Sequence, residues 1–158
     1  MTSASRLATV SVQIANGVEV PARAAPMRRW ARAALDGIGK SGAVCIRIVG
    51  ADEMADLNAR FRRKQGTTNV LSFAADADEH EGREPLLGDI AICAPVVVAE
   101  AAAQGKRAAD HLAHLVVHGV LHLCGYDHET AADARVMESH EVAILNAIGI
   151  DDPYLMER

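Results

Sequence analysis

Five of the chain's seven histidines fall in one stretch, His111 to His128, reading HLAHLVVHGVLHLCGYDH. At 3.6 residues per turn, His111, His114, His118 and His122 lie within about an 80° arc of a helix, and Leu112, Leu115, Val116, Val120 and Leu123 fill much of the remaining circumference. Such a helix is buried on most sides and carries one polar stripe. Whatever else the chain builds has to enclose that helix while leaving the stripe a purpose.

His118 and His122 are related as HxxxH, so their imidazoles project one turn apart from the same face and can share one ion at about 2.0–2.1 Å each. Gly125 can end the helix in a left-handed conformation and turn the chain, which brings His128 back over the open side. The whole, HGVLHLCGYDH, reads HxxxHxxGxxH. Three neutral imidazoles suit Zn²⁺, one ion per chain, and three protein ligands leave a fourth position for water, as in a catalytic rather than a closed structural site. Burying three imidazoles on one side of an aliphatic helix is costly without partners, and a metal supplies one. His111 and His114, taken singly, read as hydrogen-bonded core histidines; His114 is also a candidate to support the site. Asp127 is either a carboxylate that orients a ligand imidazole or a turn residue capping the next helix. Cys124, among Leu121 and Leu123, reads as packing.

A chain of 158 residues is long enough to form one domain, 1–158, without disulfides. Its three cysteines, Cys45, Cys93 and Cys124, each sit in an apolar run without CxxC spacing, which points to reduced thiols in a cytoplasm-like compartment. The opening MTSASRLATVSVQI lacks a charged head followed by a long apolar stretch, and no apolar run elsewhere is long enough for a bilayer, so a soluble cytoplasmic protein is expected. A net charge of −5 excludes a broad electrostatic grip on nucleic acid. Phosphate contacts must be local, at Arg28, Arg29 and Arg32 around Trp30 or at the run Arg60, Arg62, Arg63, Lys64; solvated helix faces have the same composition.

In order, LATVSVQI (7–14) predicts a first strand, with a turn at Asn16-Gly17. Pro26 opens a helix that Gly37 and Gly39 stop. AVCIRIVG (43–50) is a second strand, and ADEMADLNARFRRK (51–64) a helix whose acids lead and bases trail, complementing its dipole. NVLSFAA (69–75) is a third strand, DADEHEGREP (76–85) an aperiodic acidic loop, and LLGDIAIC (86–93) a fourth strand. PVVVAEAAAQ (95–104), the histidine helix (107–124) and ETAADARVMESHEVAILNAIG (129–149) follow as helices. The pattern favours an α+β domain: a four-stranded mixed sheet packed with about five helices, the metal site on a central helix and the turn after it. A doubly wound α/β sheet fits the first half too, but no Gly-rich phosphate loop follows any strand.

The spacing is shared with zinc peptidases reading HExxHxxGxxH, whose glutamate is the general base; this chain has Gly119 there, so peptide hydrolysis by that route lacks its proton acceptor. Activation of water, or polarisation of a phosphoryl oxygen, needs no such glutamate. A guanidinium is then the natural partner for phosphate charge, and Arg62, at the end of its helix, can face a groove over the metal. Thr68, Asn69 and Ser72 can line that groove, Thr68 and Asn69 being equally suited to the turn.

With HGVLHLCGYDH at 118–128, FRRKQGTTNVLSF at 61–73, LLGDIAIC at 86–93 and DPY at 152–154, the chain resembles the YbeY-type endoribonucleases, also called bacterial rRNA maturation factors. The resemblance spans most of the chain and implies a zincin-like fold, one zinc on the histidines matching His118, His122 and His128, and a functional arginine matching Arg62. It further implies cleavage of single-stranded RNA in 16S rRNA 3′-end maturation and ribosome quality control, with the small ribosomal subunit as partner. This chain has Thr67 where members commonly carry proline. The leading reading is therefore a zinc-dependent endoribonuclease; the alternative is a ribosome-assembly factor that binds rRNA or a small-subunit protein and is merely stabilised by zinc.

Overall fold

The computed structural model describes residues 9–76 and 84–155. In chain order these form β1 (Val10–Ile14), α1 (Ala24–Gly37), β2 (Ala43–Val49), α2 (Ala51–Arg62), β3 (Val70–Ala74), β4 (Leu86–Cys93), α3 (Ala94–Gln104), α4 (Ala108–Leu123) and α5 (Ala131–Ala147). The expected α+β class holds, with a four-stranded mixed sheet and five helices. The strand order is β1-β2-β4-β3, parallel from β1 through β2 to β4 and antiparallel between β4 and β3. An α/β reading of the first half fails at β3, which enters the sheet at its edge in the reverse direction.

Element ends differ from the expected ones by a few residues. The basic run does not extend α2 to residue 64: Arg63 takes a left-handed conformation (φ 55°) and the helix closes at Arg62. Helix α5 begins at Ala131, because the Thr130 side chain accepts the Asp133 N–H and so caps it. The start of the first strand at residue 7 and most of the expected acidic loop, 77–83, lie outside the described residues.

Alternation along the strands divides the core. Ile46, Ile48, Ile90 and Ile92 face one way and pack with Met27 and Leu35 of α1, with Leu112, Val116, Val120 and Leu121 of α4, and with Met137 and Leu145 of α5. Val49, Leu71, Ala91 and Cys93 form a smaller cluster with Met54 of α2. Helix α4 is thus buried against the sheet on one side and against neighbouring helices on others, as its all-round hydrophobicity requires.

Gly119 sets how closely α4 approaches the sheet. A Cβ at this position would stand 2.9 Å from Ile90 Cγ2, so a glycine is what allows the contact. The same backbone segment is tied to the sheet edge by Ser72, whose hydroxyl donates to the Gly119 carbonyl at 3.2 Å. Gly119 therefore faces β4, and a larger residue in its place would have to displace Ile90.

Candidate functional site

The end of α4 folds as its sequence suggests. The Gly125 and Tyr126 N–H groups donate back to the carbonyls of His122 and Leu121, and Gly125 adopts φ 99°, a conformation open to glycine at little cost. This turn returns His128 towards α4. The rings of His118, His122 and His128 stand at the corners of a nearly equilateral triangle, with centroids 5.9 Å apart for His118 and His122, 5.4 Å for His118 and His128, and 5.7 Å for His122 and His128. Imidazoles bound to one tetrahedral ion would have centroids about 5 Å apart, so these rings stand close to the spacing a shared ion requires. Desolvation, reinforced by the neighbouring His118 and His128, pushes the His122 imidazole below its ordinary pKa and favours the neutral, ligating form.

Behind this triangle lies a residue that the sequence reading missed. Glu141 of α5 is completely buried. His118 Nδ1 donates to its Oε2 at 2.6 Å, His114 Nε2 donates to its Oε1 at 3.2 Å, and the Tyr154 hydroxyl donates to the same Oε1. The Tyr154 oxygen also lies 3.1 Å from His114 Nε2. Burial alone would raise the Glu141 pKa, but the hydrogen bonds from His114 and His118 outweigh it and hold the carboxyl down at about 2. An ionised carboxylate only accepts, so His118 carries a proton on Nδ1, and Nε2 is the nitrogen left over for a metal. Holding a histidine from behind in this way is how proteins set a metal-binding tautomer.

His114, His118 and Glu141 also make up a compact group of donors able to hold a metal ion, their ligand atoms lying within 4.8 Å of one another. His122 and His128 are outside that group. The 2.6 Å separation of His118 Nδ1 from Glu141 Oε2 is that of a charge-assisted hydrogen bond, whereas two ligands of one tetrahedral zinc stand about 3.3 Å apart. The donor chemistry of all five residues fits a metal. His118 belongs to both sets, the donor group with His114 and Glu141 and the triangle with His122 and His128.

The triangle opens into a cleft of about 670 Å³ whose other wall comes from α2 and β3 and includes Phe61, Arg62, Thr68, Asn69 and Ser72. Arg62 closes α2 and is exposed there. Asp127 lines the cleft, and its Oδ1 accepts the Glu129 N–H at 3.2 Å in the turn before α5, while the capping of that helix falls to Thr130 and not to Asp127. The Asn69 side chain is held by Glu100, Nδ2 to Oε1 at 3.1 Å, while its carbonyl accepts the Cys93 N–H. Ser72 of β3 is engaged with Gly119, so it and Asn69, which immediately precedes the strand, serve the framework of the cleft. His111 is a buried core histidine, bonded to Glu100 at 2.8 Å and shifted to a lower pKa chiefly by desolvation. Cys124 packs against the main core, as expected.

Glu141 could have been read from the sequence. It falls in the buried stripe of α5, with Met137, Ile144 and Leu145 at helical spacing, and a lone acid in an apolar stripe requires a partner. Tyr154 and Glu100 carry no comparable local signal, because their partners are distant in sequence.

Among the described residues, no helix is long and apolar enough to cross a membrane. In fold, the chain is similar to a solution structure from Thermotoga maritima, with a TM-score of 0.58 over 89% of this chain and 91% of that one, at 20% sequence identity. In sequence, it is 47% identical over 151 residues to an endoribonuclease YbeY of Nitrosococcus oceani, spanning 92% of this chain and 96% of that protein. It is 51% identical over 138 residues to an endoribonuclease YbeY of Stenotrophomonas maltophilia, and 50% identical over 145 residues to one of Methylococcus capsulatus. These spans cover 85% and 92% of this chain, and 86% and 94% of the relatives. Residues 13–149 match the family described as Endoribonuclease YbeY, and the chain belongs to that family.

Proposed function

We propose that this chain is a metal-dependent endoribonuclease acting on single-stranded RNA, with one zinc ion held by His118, His122 and His128. The observation that carries the reading is the triangle of imidazoles lining an open cleft, one of them hydrogen-bonded through Nδ1 to the buried Glu141. Zinc bound there would lower the pKa of a coordinated water towards 7 and polarise a phosphoryl oxygen. The protein's own residues supply the rest. Glu141 fixes the His118 ring and its proton, Tyr154 and His114 fix Glu141, and Arg62 on the opposite wall offers a permanent positive charge to a phosphate in the cleft.

The 16S rRNA 3′ end and the small ribosomal subunit are the substrate and partner that the family resemblance implies. Free Cys45, Cys93 and Cys124 support a reducing, cytoplasmic location. The test combines metal analysis of purified protein with cleavage of single-stranded RNA before and after chelation. Wild type should retain about one zinc per chain and lose cleavage on chelation, and His118→Ala should lose both. Undiminished cleavage by zinc-free His118→Ala protein would discard the mechanism.

A further inference from the structure

Phe61 and Phe73 are the chain's only phenylalanines. They meet edge to face in the cleft wall, with ring centroids 5.2 Å apart and planes at 69°. The two are not equivalent. Phe73 packs against the smaller apolar cluster beneath α2, whereas Phe61 is 61% exposed. Trp30, Phe73, Tyr126 and Tyr154 are all at least partly buried, which leaves Phe61 as the one exposed residue among the phenylalanines, tyrosines and tryptophan, all of which are described.

Exposure of a single apolar side chain carries no message by itself. The setting of this one does. It adjoins Arg62 on the wall facing His118, His122 and His128. The backbone on either side of it is tied down: the Asn58 side chain, itself buried, donates to the Gly66 carbonyl at 3.0 Å, and the Lys64 N–H donates to the Asn58 carbonyl, closing the turn that follows Phe61. The edge contact with Phe73 restricts the ring further. The result is a fixed π face standing in water beside a site suited to phosphate chemistry. A chain of net charge −5 cannot hold a polyanion by a broad field, so affinity for a strand has to come from specific contacts. Unpaired bases offer such a contact, because each presents a π face that an aromatic side chain can cover.

We propose that Phe61 is the platform on which one unpaired base of the RNA stacks, with Phe73 buttressing it from below. This inference rests on the endoribonuclease reading above and assigns it a residue that grips the substrate and lies outside the metal set. The test is steady-state cleavage of a short single-stranded RNA by full-length protein, wild type against Phe61→Leu and Phe61→Tyr, with thermal melts to confirm folding. Leucine keeps an apolar cover over Phe73 but has no π face. Phe61→Leu should raise KM by about 5- to 150-fold with kcat unchanged, the range expected for the loss of one stacked base, while Phe61→Tyr stays near wild type. Removing single bases from the RNA should identify one position whose loss raises the wild-type KM equally and adds nothing in Phe61→Leu. A folded Phe61→Leu protein with wild-type KM, or base losses that add to the substitution at every position, would overturn the stacking assignment alone. Failure of wild type to cleave any RNA would overturn it together with the endoribonuclease reading.

Discussion

Glu141 is a carboxylate without solvent, and its three hydrogen-bond donors come from two other parts of the chain, His114 and His118 on α4 and Tyr154 in the C-terminal segment. Removing its charge while keeping its shape separates orientation from packing. In Glu141→Gln the amide cannot accept from His118 Nδ1 as strongly, and the ring loses the bond that fixes its proton. The expected outcome is a loss of zinc affinity of about 10- to 100-fold, read by competition with a chromogenic chelator. Unchanged affinity would mean that His118 does not act as a ligand through the nitrogen opposite Glu141. The histidine residues of this site could be read from the sequence because HxxxHxxGxxH is a local pattern. Tyr154 could not, since it reaches Glu141 only through the way the chain's end folds back, where Lys106 Nζ donates to the Pro153 carbonyl at 2.7 Å.

At the scale of elements, the site depends on how α4 is seated. Its approach to β4 is set at Gly119, where an added methyl group would stand 2.9 Å from Cγ2 of the buried, β-branched Ile90. Alanine at 119 would gain up to about 1 kcal/mol in helix propensity but would overpack the core, which typically costs about 1–3 kcal/mol. We expect Gly119→Ala to be destabilised by about 1–2 kcal/mol net, seen as a fall of a few degrees in Tm, whereas an ordinary helical glycine would be stabilised by the change. In the sequence, Gly119 stands where the HExxH pattern has its general base. The structure adds that this position looks onto the sheet, so the difference from the HExxH pattern is one of packing as well as chemistry. Helix α2 illustrates the opposite limit of local reading. Its acid-to-base order marks it as helical, but its end at Arg62 depends on Asn58 capturing the turn that follows.

For the whole molecule, the network around Glu141 links stability to pH. Its carboxyl is held at about 2 in the folded protein, against an ordinary value of 4.5. A depressed acid stabilises the fold fully above the unfolded value and loses that contribution as the pH falls towards the folded one. Metal-free wild type should therefore lose Tm steadily below pH 4.5 towards pH 2, and Glu141→Gln should lose less over the same window. Parallel curves for the two proteins would remove Glu141 from the cause. Local patterns in the sequence were enough to determine the five helices, the four strands, the α+β class and the three candidate imidazoles, because periodicity, caps and an i, i+4, i+10 spacing act between near neighbours. Only the tertiary structure decided the reversed edge strand β3, the buried acid behind His118, and the meeting of Phe61 and Arg62 with the histidines across one cleft. Those features arise from contacts between residues far apart in the chain, and such contacts exist only once the apolar faces have closed on one another.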